Sequence, residues 1–234
     1  MATKIEWCDE SINPLGWGCY GPDGTRDDPK PCPYCYAKRM ANRHLRDCPL
    51  CNQFIPHWHP EQLELVKKWK RPRRIFVQSM GDLFHSETPQ EHIDAVLETV
   101  RACPQHTFMF LTKNPVRYIG QAQPKNAWFG TSASNATDLH VRQDQMCFSL
   151  PTIAFLSLEP LLEGVSSYID FDVWDWIIVG AQTGPGAKPL DPKIVESIIS
   201  ARDMYSQNTG VNVPLFLKDN LNWPVRIQEF PEVV

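Results

Sequence analysis

Six short runs of apolar, β-branched and aromatic residues punctuate the chain, at Ile75–Met80, Thr107–Leu111, Ala127–Thr131, Thr152–Leu158, Trp176–Gly180 and Pro214–Lys218. They do not alternate apolar with polar positions, so they predict strands buried on both faces. The segments Thr88–Ala102, Pro115–Gln121, Asp138–Cys147 and Asp191–Asn208 have helical character. Thr88-Pro89-Gln90-Glu91 predicts a helix start, with a capping residue, a first-turn proline and a glutamate three places after the cap; Asp191-Pro192 predicts another.

Strand and helix alternating in this way predict an α/β fold with a parallel sheet covered by helices. A further strand is expected around Ile5–Pro14. Six to seven parallel strands fit a full or partial (β/α) TIM-type barrel better than a doubly wound sheet, although alternation is common to both. In either fold the chemistry belongs at the carboxyl ends of the strands. Polar residues recur there: Ser79, Gly81, Asp82 and His85; Thr112, Lys113 and Asn114; Thr131, Ser132 and Ser134; Ser157 and Glu159; Gln182 and Thr183; Lys218 and Asp219. Lys113, Glu159 and Lys218 stand out as acid, base or anion-binding groups. The loop GAQTGPGAKP, residues 180–189, lacks the endings of the nucleotide-binding glycine motifs. It reads as a backbone cradle for an anion or as a tight turn.

Composition narrows the class. The chain has 234 residues, 42% hydrophobic and 21% charged, and a net charge of −4. Those values suit one soluble domain over residues 1–234 and give no global attraction to nucleic acid. One dense basic stretch, Lys67, Lys68, Lys70, Arg71, Arg73 and Arg74, reads either as a solvated helix end or as a nucleic-acid patch. No apolar run has the length of a membrane span, and the N-terminal residues lack a signal peptide's pattern, so no membrane partner and a cytoplasmic location are expected.

Eight cysteines in a reducing compartment argue for metal ligation rather than disulfides. Cys103 and Cys147 flank apolar helical stretches and are expected to be buried small hydrophobes. Cys19, Cys32 and Cys35 follow C-x12-C-x2-C, with Tyr34 just before the last thiol. Thiolates bind zinc or iron–sulfur clusters, and a C-x2-C turn brings two of them to one centre. Cys48 and Cys51 form a second C-x2-C twelve residues on, within a Cys/His-containing stretch at about 45–60. Three zinc sites can be drawn: a ribbon of Cys32, Cys35, Cys48 and Cys51; a compact site of Cys48, Cys51, His57 and His59; and a pair completed by His57 or by Cys8.

Across the chain, IEWCDESINPLGWGC, CPYCYAKRMA, HPEQL, RPRRIFVQSMGDLFH, FLTKNP, FLSLEPLL, WDWIIVGAQTGPGAKP and FLK occur in order over roughly residues 5 to 218. In these segments the chain resembles the phage-associated three-Cys-motif family, a radical-SAM-like group carried as a domain of unknown function. The resemblance implies a barrel of the radical S-adenosylmethionine kind, with a 4Fe-4S cluster on Cys19, Cys32 and Cys35. It implies reductive cleavage of S-adenosyl-L-methionine at the iron left open, and an electron donor such as a flavodoxin or ferredoxin. Tyr34 is then expected beside the adenine and Gly81-Asp82 at the methionine-binding position. Ser132, Glu159 and the loop through Gln182 are expected around ribose, methionine or substrate, and phage association points to a nucleic acid or nucleotide as substrate. Cys48 and Cys51 look like an insertion in that pattern, suited to an accessory zinc. The readings that compete with this enzyme are a zinc-ordered nucleic-acid-binding module and a barrel whose cluster serves structure or electron transfer.

Overall fold

A computed structural model describes residues 3–43, 47–149 and 151–232. They form two compact units, Met1–Trp128 and Phe129–Val234. In the first unit, β1 (Glu10–Ile12), β2 (Arg74–Val77) and β3 (Thr107–Thr112) pair in chain order, all parallel, with Ile12 beside Val77 and Val77 beside Phe110. Between β1 and β2 lie α1 (Tyr36–Arg43), the one-turn α2 (Pro49–Asn52) and α3 (Glu61–Lys67); α4 (Gln90–Ala102) links β2 to β3. The second unit takes up β4 (Ala127–Ser132) from Phe129 and runs through α5 (Ala136–Ser149), β5 (Ala154–Leu158), β6 (Trp176–Val179), α6 (Pro192–Thr209) and β7 (Leu215–Leu217), and its pairs are again parallel and in chain order. A doubly wound sheet reverses its strand order at a switch point. Neither unit does, and this is the pattern of a partial β/α barrel.

The two-faced apolar runs become the buried strands expected: every residue of β4, β5, β6 and β7 is buried. The open side of β7 is covered by the C-terminal residues, where Leu217 donates its amide to the Ile227 carbonyl and Glu229 donates to Leu215. That pairing removes an exposed sheet edge.

Helix limits follow local capping. Asp191 caps α6 by accepting the Lys193 amide at 3.0 Å, and Gly210 closes the helix in the left-handed region. Asn135 accepts the Asp138 amide at 2.8 Å, which starts α5 two residues before the predicted Asp138. Thr88 does not cap α4: Pro89 holds that position without a side-chain bond, and the Thr88 carbonyl is taken by Arg117. The helix expected over Pro115–Gln121 shrinks to a 3-10 turn at Pro115–Tyr118, because Ile119 is extended and Gly120 takes a positive φ. Asn126 donates to the carbonyls of Val100, Cys103 and His106, satisfying groups that the end of α4 leaves without helical partners.

Cys103 is buried as expected, whereas Cys147 is exposed, because it lies on the outer side of α5 while Leu139, Arg142, Gln143 and Met146 face inward. Half of the basic stretch is engaged. Arg73 pairs with Glu10 and lies 4.7 Å over the Trp69 ring, Arg74 pairs with Asp9, and Lys67 pairs with Glu64 at 2.6 Å. Lys68, Lys70 and Arg71 remain exposed. Among the described residues no helix is long and apolar enough to cross a membrane.

Candidate metal centres and strand-end pockets

The segment after β1 carries Cys19, and the turn before α1 carries Cys32 and Cys35, with the Cys35 amide donating to the Cys32 carbonyl at 3.0 Å. Cys19 and Cys35 pack against one apolar cluster of Trp17, Ala37, Ala41, Cys51, Phe54 and Met80. Each of these two sulfurs accepts a backbone N–H at 3.3 Å, from Gly21 to Cys19 and from Lys38 to Cys35. Burial pushes the Cys19 thiol up to about 12; the Asp82 carboxylate adds to the rise, and negative charge on Cys35 or Cys32 acts in the same direction. Burial also raises Cys35, against the opposing amides of Lys38 and Ala37 at the start of α1. Three thiols so placed share one local field. As bare thiols Cys19 and Cys35 stay protonated at neutral pH, and a bound metal cation is what would ionise them.

A second constellation is better defined. Sγ of Cys48, Sγ of Cys51 and one nitrogen each of His57 and His59 all lie within 4.8 Å of one another. Cys48 Sγ is 3.0 Å from His57 Nε2, Cys51 Sγ is 3.8 Å from His57 Nε2 and 3.6 Å from His59 Nε2, and the two Nε2 atoms are 2.7 Å apart. The Nδ1 atoms face outward to partners, His57 to the Ile55 carbonyl at 2.7 Å and His59 to Glu61 Oε1 at 2.5 Å. The Cys51 amide is the largest influence that brings the Cys48 thiol down to about 6. This Cys2His2 group can hold a metal such as zinc. Of the zinc sites drawn from sequence it is the compact one; Cys8, Cys32 and Cys35 stand outside it.

The group is built into the chain around β1. Trp17 donates its amide to Cys51 Sγ at 3.3 Å, His57 donates its amide to Leu15 at 3.1 Å, and His59 donates to Pro14 at 2.7 Å. Gly16 has φ +64°, and a Cβ there would sit 2.7 Å from the His57 ring. At Gly18 a Cβ would meet the Ile55–Pro56 backbone at 2.3 Å. Both glycines of the NPLGWGC run are therefore required by close approach of the 55–59 segment. That run, and a glutamate two places after His59, were the available signals for the outer partners, which the spacing of ligands alone does not reveal.

A cavity of about 320 Å³ opens beside these centres in the first unit, bordered by Cys19, His57, Arg26, Asp82, His85 and His92 among others. Asp82 is occupied by the fold: Oδ1 accepts from Phe84 N at 3.0 Å, and Oδ2 accepts from Thr112 Oγ1 at 2.9 Å and Lys113 N at 3.0 Å. His85 is fixed through Nε2 to the Gly21 carbonyl and through Nδ1 by the Glu87 amide. Gly81 pairs with Gly18 in an isolated parallel bridge, and Lys113 Nζ lies 5.8 Å from the centre of the Tyr34 ring. Arg26, Glu87 and His92 carried no spacing signal; two loops and the first turn of α4 bring them to the cavity.

In the second unit the strand ends set out Ser132, Glu159 and Lys218. Lys218 Nζ forms an ion pair with Glu159 Oε1, their side chains 14% and 27% exposed. Ser132 is buried, and its carbonyl accepts from Arg142, which also pairs with Asp138. Gln182 is half-buried in the 180–189 loop; Asn220 braces the start of that loop with two hydrogen bonds to the Ala181 backbone.

A family model described as "Protein of unknown function (DUF5131)" matches residues 2–228. No curated protein and no solved structure matches the chain.

Proposed function

Since the chain belongs to the DUF5131 family, whose description assigns no activity, its chemistry rests on its own residues, and we propose that it is an iron–sulfur enzyme of the radical S-adenosylmethionine type. One observation supports the reading: the Cys2His2 group closes on itself without Cys32 and Cys35, which leaves those two and Cys19 as candidate ligands for a second centre. Three soft donors, two of them with a backbone N–H to sulfur, are a donor set that suits a 4Fe-4S cluster with one iron open. The chain-long resemblance to a radical-SAM-like, phage-associated family supports the same assignment.

When bound, the cluster supplies the electron that cleaves S-adenosyl-L-methionine, and the protein supplies orientation and exclusion of water. Cys19, Cys32 and Cys35 hold the cluster. Tyr34 offers an aromatic face for an adenine, with the Lys113 cation on that ring. Gly81 permits a close backbone approach, and Asp82 acts by locking the ends of β2 and β3 rather than by presenting a free carboxylate. Ser132, Gln182 and the Glu159–Lys218 pair are reserved for substrate. A nucleic acid or nucleotide is the substrate class that the phage association of the resembled family favours; a flavodoxin or ferredoxin in the cytoplasm is the electron donor the chemistry asks for.

Anaerobic purification and reconstitution test this. The expected result is a reducible cluster with about four irons per chain, lost together in Cys19→Ala, Cys32→Ala and Cys35→Ala, and 5′-deoxyadenosine on adding reductant and S-adenosyl-L-methionine. Zinc without iron in the anaerobic protein overturns the proposal. A cluster that neither binds nor cleaves S-adenosyl-L-methionine would replace it with a structural or electron-transfer role.

A further inference from the structure

We propose that Cys48, Cys51, His57 and His59 bind one zinc ion in a closed structural site, and that this ion clamps the 55–59 segment onto the Cys19-bearing loop. The argument starts from shape. Bond lengths of about 2.3 Å to sulfur and 2.0–2.1 Å to nitrogen put the edges of a zinc tetrahedron at about 3.6 Å for S–N and 3.3 Å for N–N. In the structure three S–N separations are 3.0, 3.6 and 3.8 Å, and the N–N separation is 2.7 Å. Two of the S–N separations match the tetrahedral edge, and the two short distances both involve His57 Nε2, so a displacement of that ring by about 0.6 Å opens the group to the size of one ion. A cluster needs its thiolates spread around several metal atoms, which this group does not allow.

The outer partners point the same way. Histidines that ligate a metal through Nε2 direct their other nitrogen at a carbonyl or a carboxylate, which sets the tautomer. His57 does so with Ile55 and His59 with Glu61. Protein atoms fill all four positions, so no coordination site is left for water or substrate, and the role is structural. The site reaches Cys19 through bonded neighbours: Trp17 donates to Cys51 Sγ, and residues 57 and 59 pair with residues 15 and 14. Gly16 and Gly18 make that approach possible.

The test uses the full chain expressed with zinc. Elemental analysis is expected to find one zinc per chain, and X-ray absorption a shell of two sulfurs and two nitrogens; absence of stoichiometric zinc, or a four-sulfur shell, overturns the proposal. The triple variant Cys19→Ser/Cys32→Ser/Cys35→Ser is expected to keep its zinc, which separates this site from the cluster reading; loss of zinc there overturns it. Glu61 is exposed and touches no proposed cofactor, so Glu61→Ala is a gentle probe, expected to weaken zinc affinity by about tenfold to a hundredfold in competition with a chelator. Unchanged affinity refutes the assigned outer partner. Chelating the zinc should raise amide exchange across residues 14–19, and unaltered protection there would sink the clamp.

Discussion

Removing the Asp82 carboxylate is the sharpest test of how the first unit holds its strand ends. Asp82 accepts three hydrogen bonds, from the Phe84 amide, the Thr112 hydroxyl and the Lys113 amide, and the last two cross from the β2 end to the β3 end. Hydrogen bonds to a charged acceptor are worth about 1.5–3 kcal/mol each when well buried, and less when water can replace the carboxylate. Asp82 is half-buried, so about 1 kcal/mol per bond is the appropriate scale, and Asp82→Ala is expected to cost about 3 kcal/mol. That corresponds to roughly 150-fold in the folding equilibrium. Asp82→Asn is informative because an amide cannot accept at both positions. Its NH2 group faces either the Phe84 amide or the Lys113 amide, while the Thr112 hydroxyl can turn to accept. The expected cost is about half that of the alanine variant. Urea unfolding of all three proteins, followed by far-UV circular dichroism, gives the midpoints and slopes. A loss below about 1 kcal/mol in Asp82→Ala with an unchanged slope would show that the carboxylate does not latch the strands.

Two further outcomes follow from buried ionisable groups. His106 is buried, donates Nε2–H to the Trp69 carbonyl at 3.2 Å and leaves Nδ1 without a hydrogen-bond partner, and desolvation lowers its pKa from 6.5. The unfolded chain therefore takes up the proton first, so this contribution is complete above pH 6.5 and is lost as pH falls below it; His106→Gln should flatten the dependence of the urea midpoint between about pH 7.5 and 5, and an unchanged slope contradicts the burial argument. The Glu159–Lys218 pair should give a coupling energy of about 1–3 kcal/mol in a double-mutant cycle of Glu159→Gln and Lys218→Met, since both side chains are mostly buried. Additive effects would mean that the two groups do not act as a pair.

Much of the fold was legible because strand burial is a local pattern. The six apolar runs and the weak Ile5–Pro14 stretch map onto seven strands. The errors arose where local signals competed. Thr88 carries a capping side chain but lies one residue too early, and the Pro115 helix is stopped by an extended Ile119 before it completes an α-turn. Cys147 was expected inside because its flanks are apolar, yet the inward side of α5 carries Arg142 and Gln143, whose polar atoms are engaged within the unit.

By itself the sequence determined which residue types are available for chemistry: three thiols in C-x12-C-x2-C, a second C-x2-C with histidines behind it, and polar groups at each strand end. It did not determine which thiols belong together, because the spacing of Cys32, Cys35, Cys48 and Cys51 suits a zinc ribbon as well as two separate sites. Tertiary structure decided it for the second pair, by bringing His57 and His59 to Cys48 and Cys51. The physical reason is range. Periodicity and capping act over a few residues, whereas the ligands at 48–59 are held together by a segment some forty residues earlier in the chain, and that packing depends on two glycines that let one backbone lie against another.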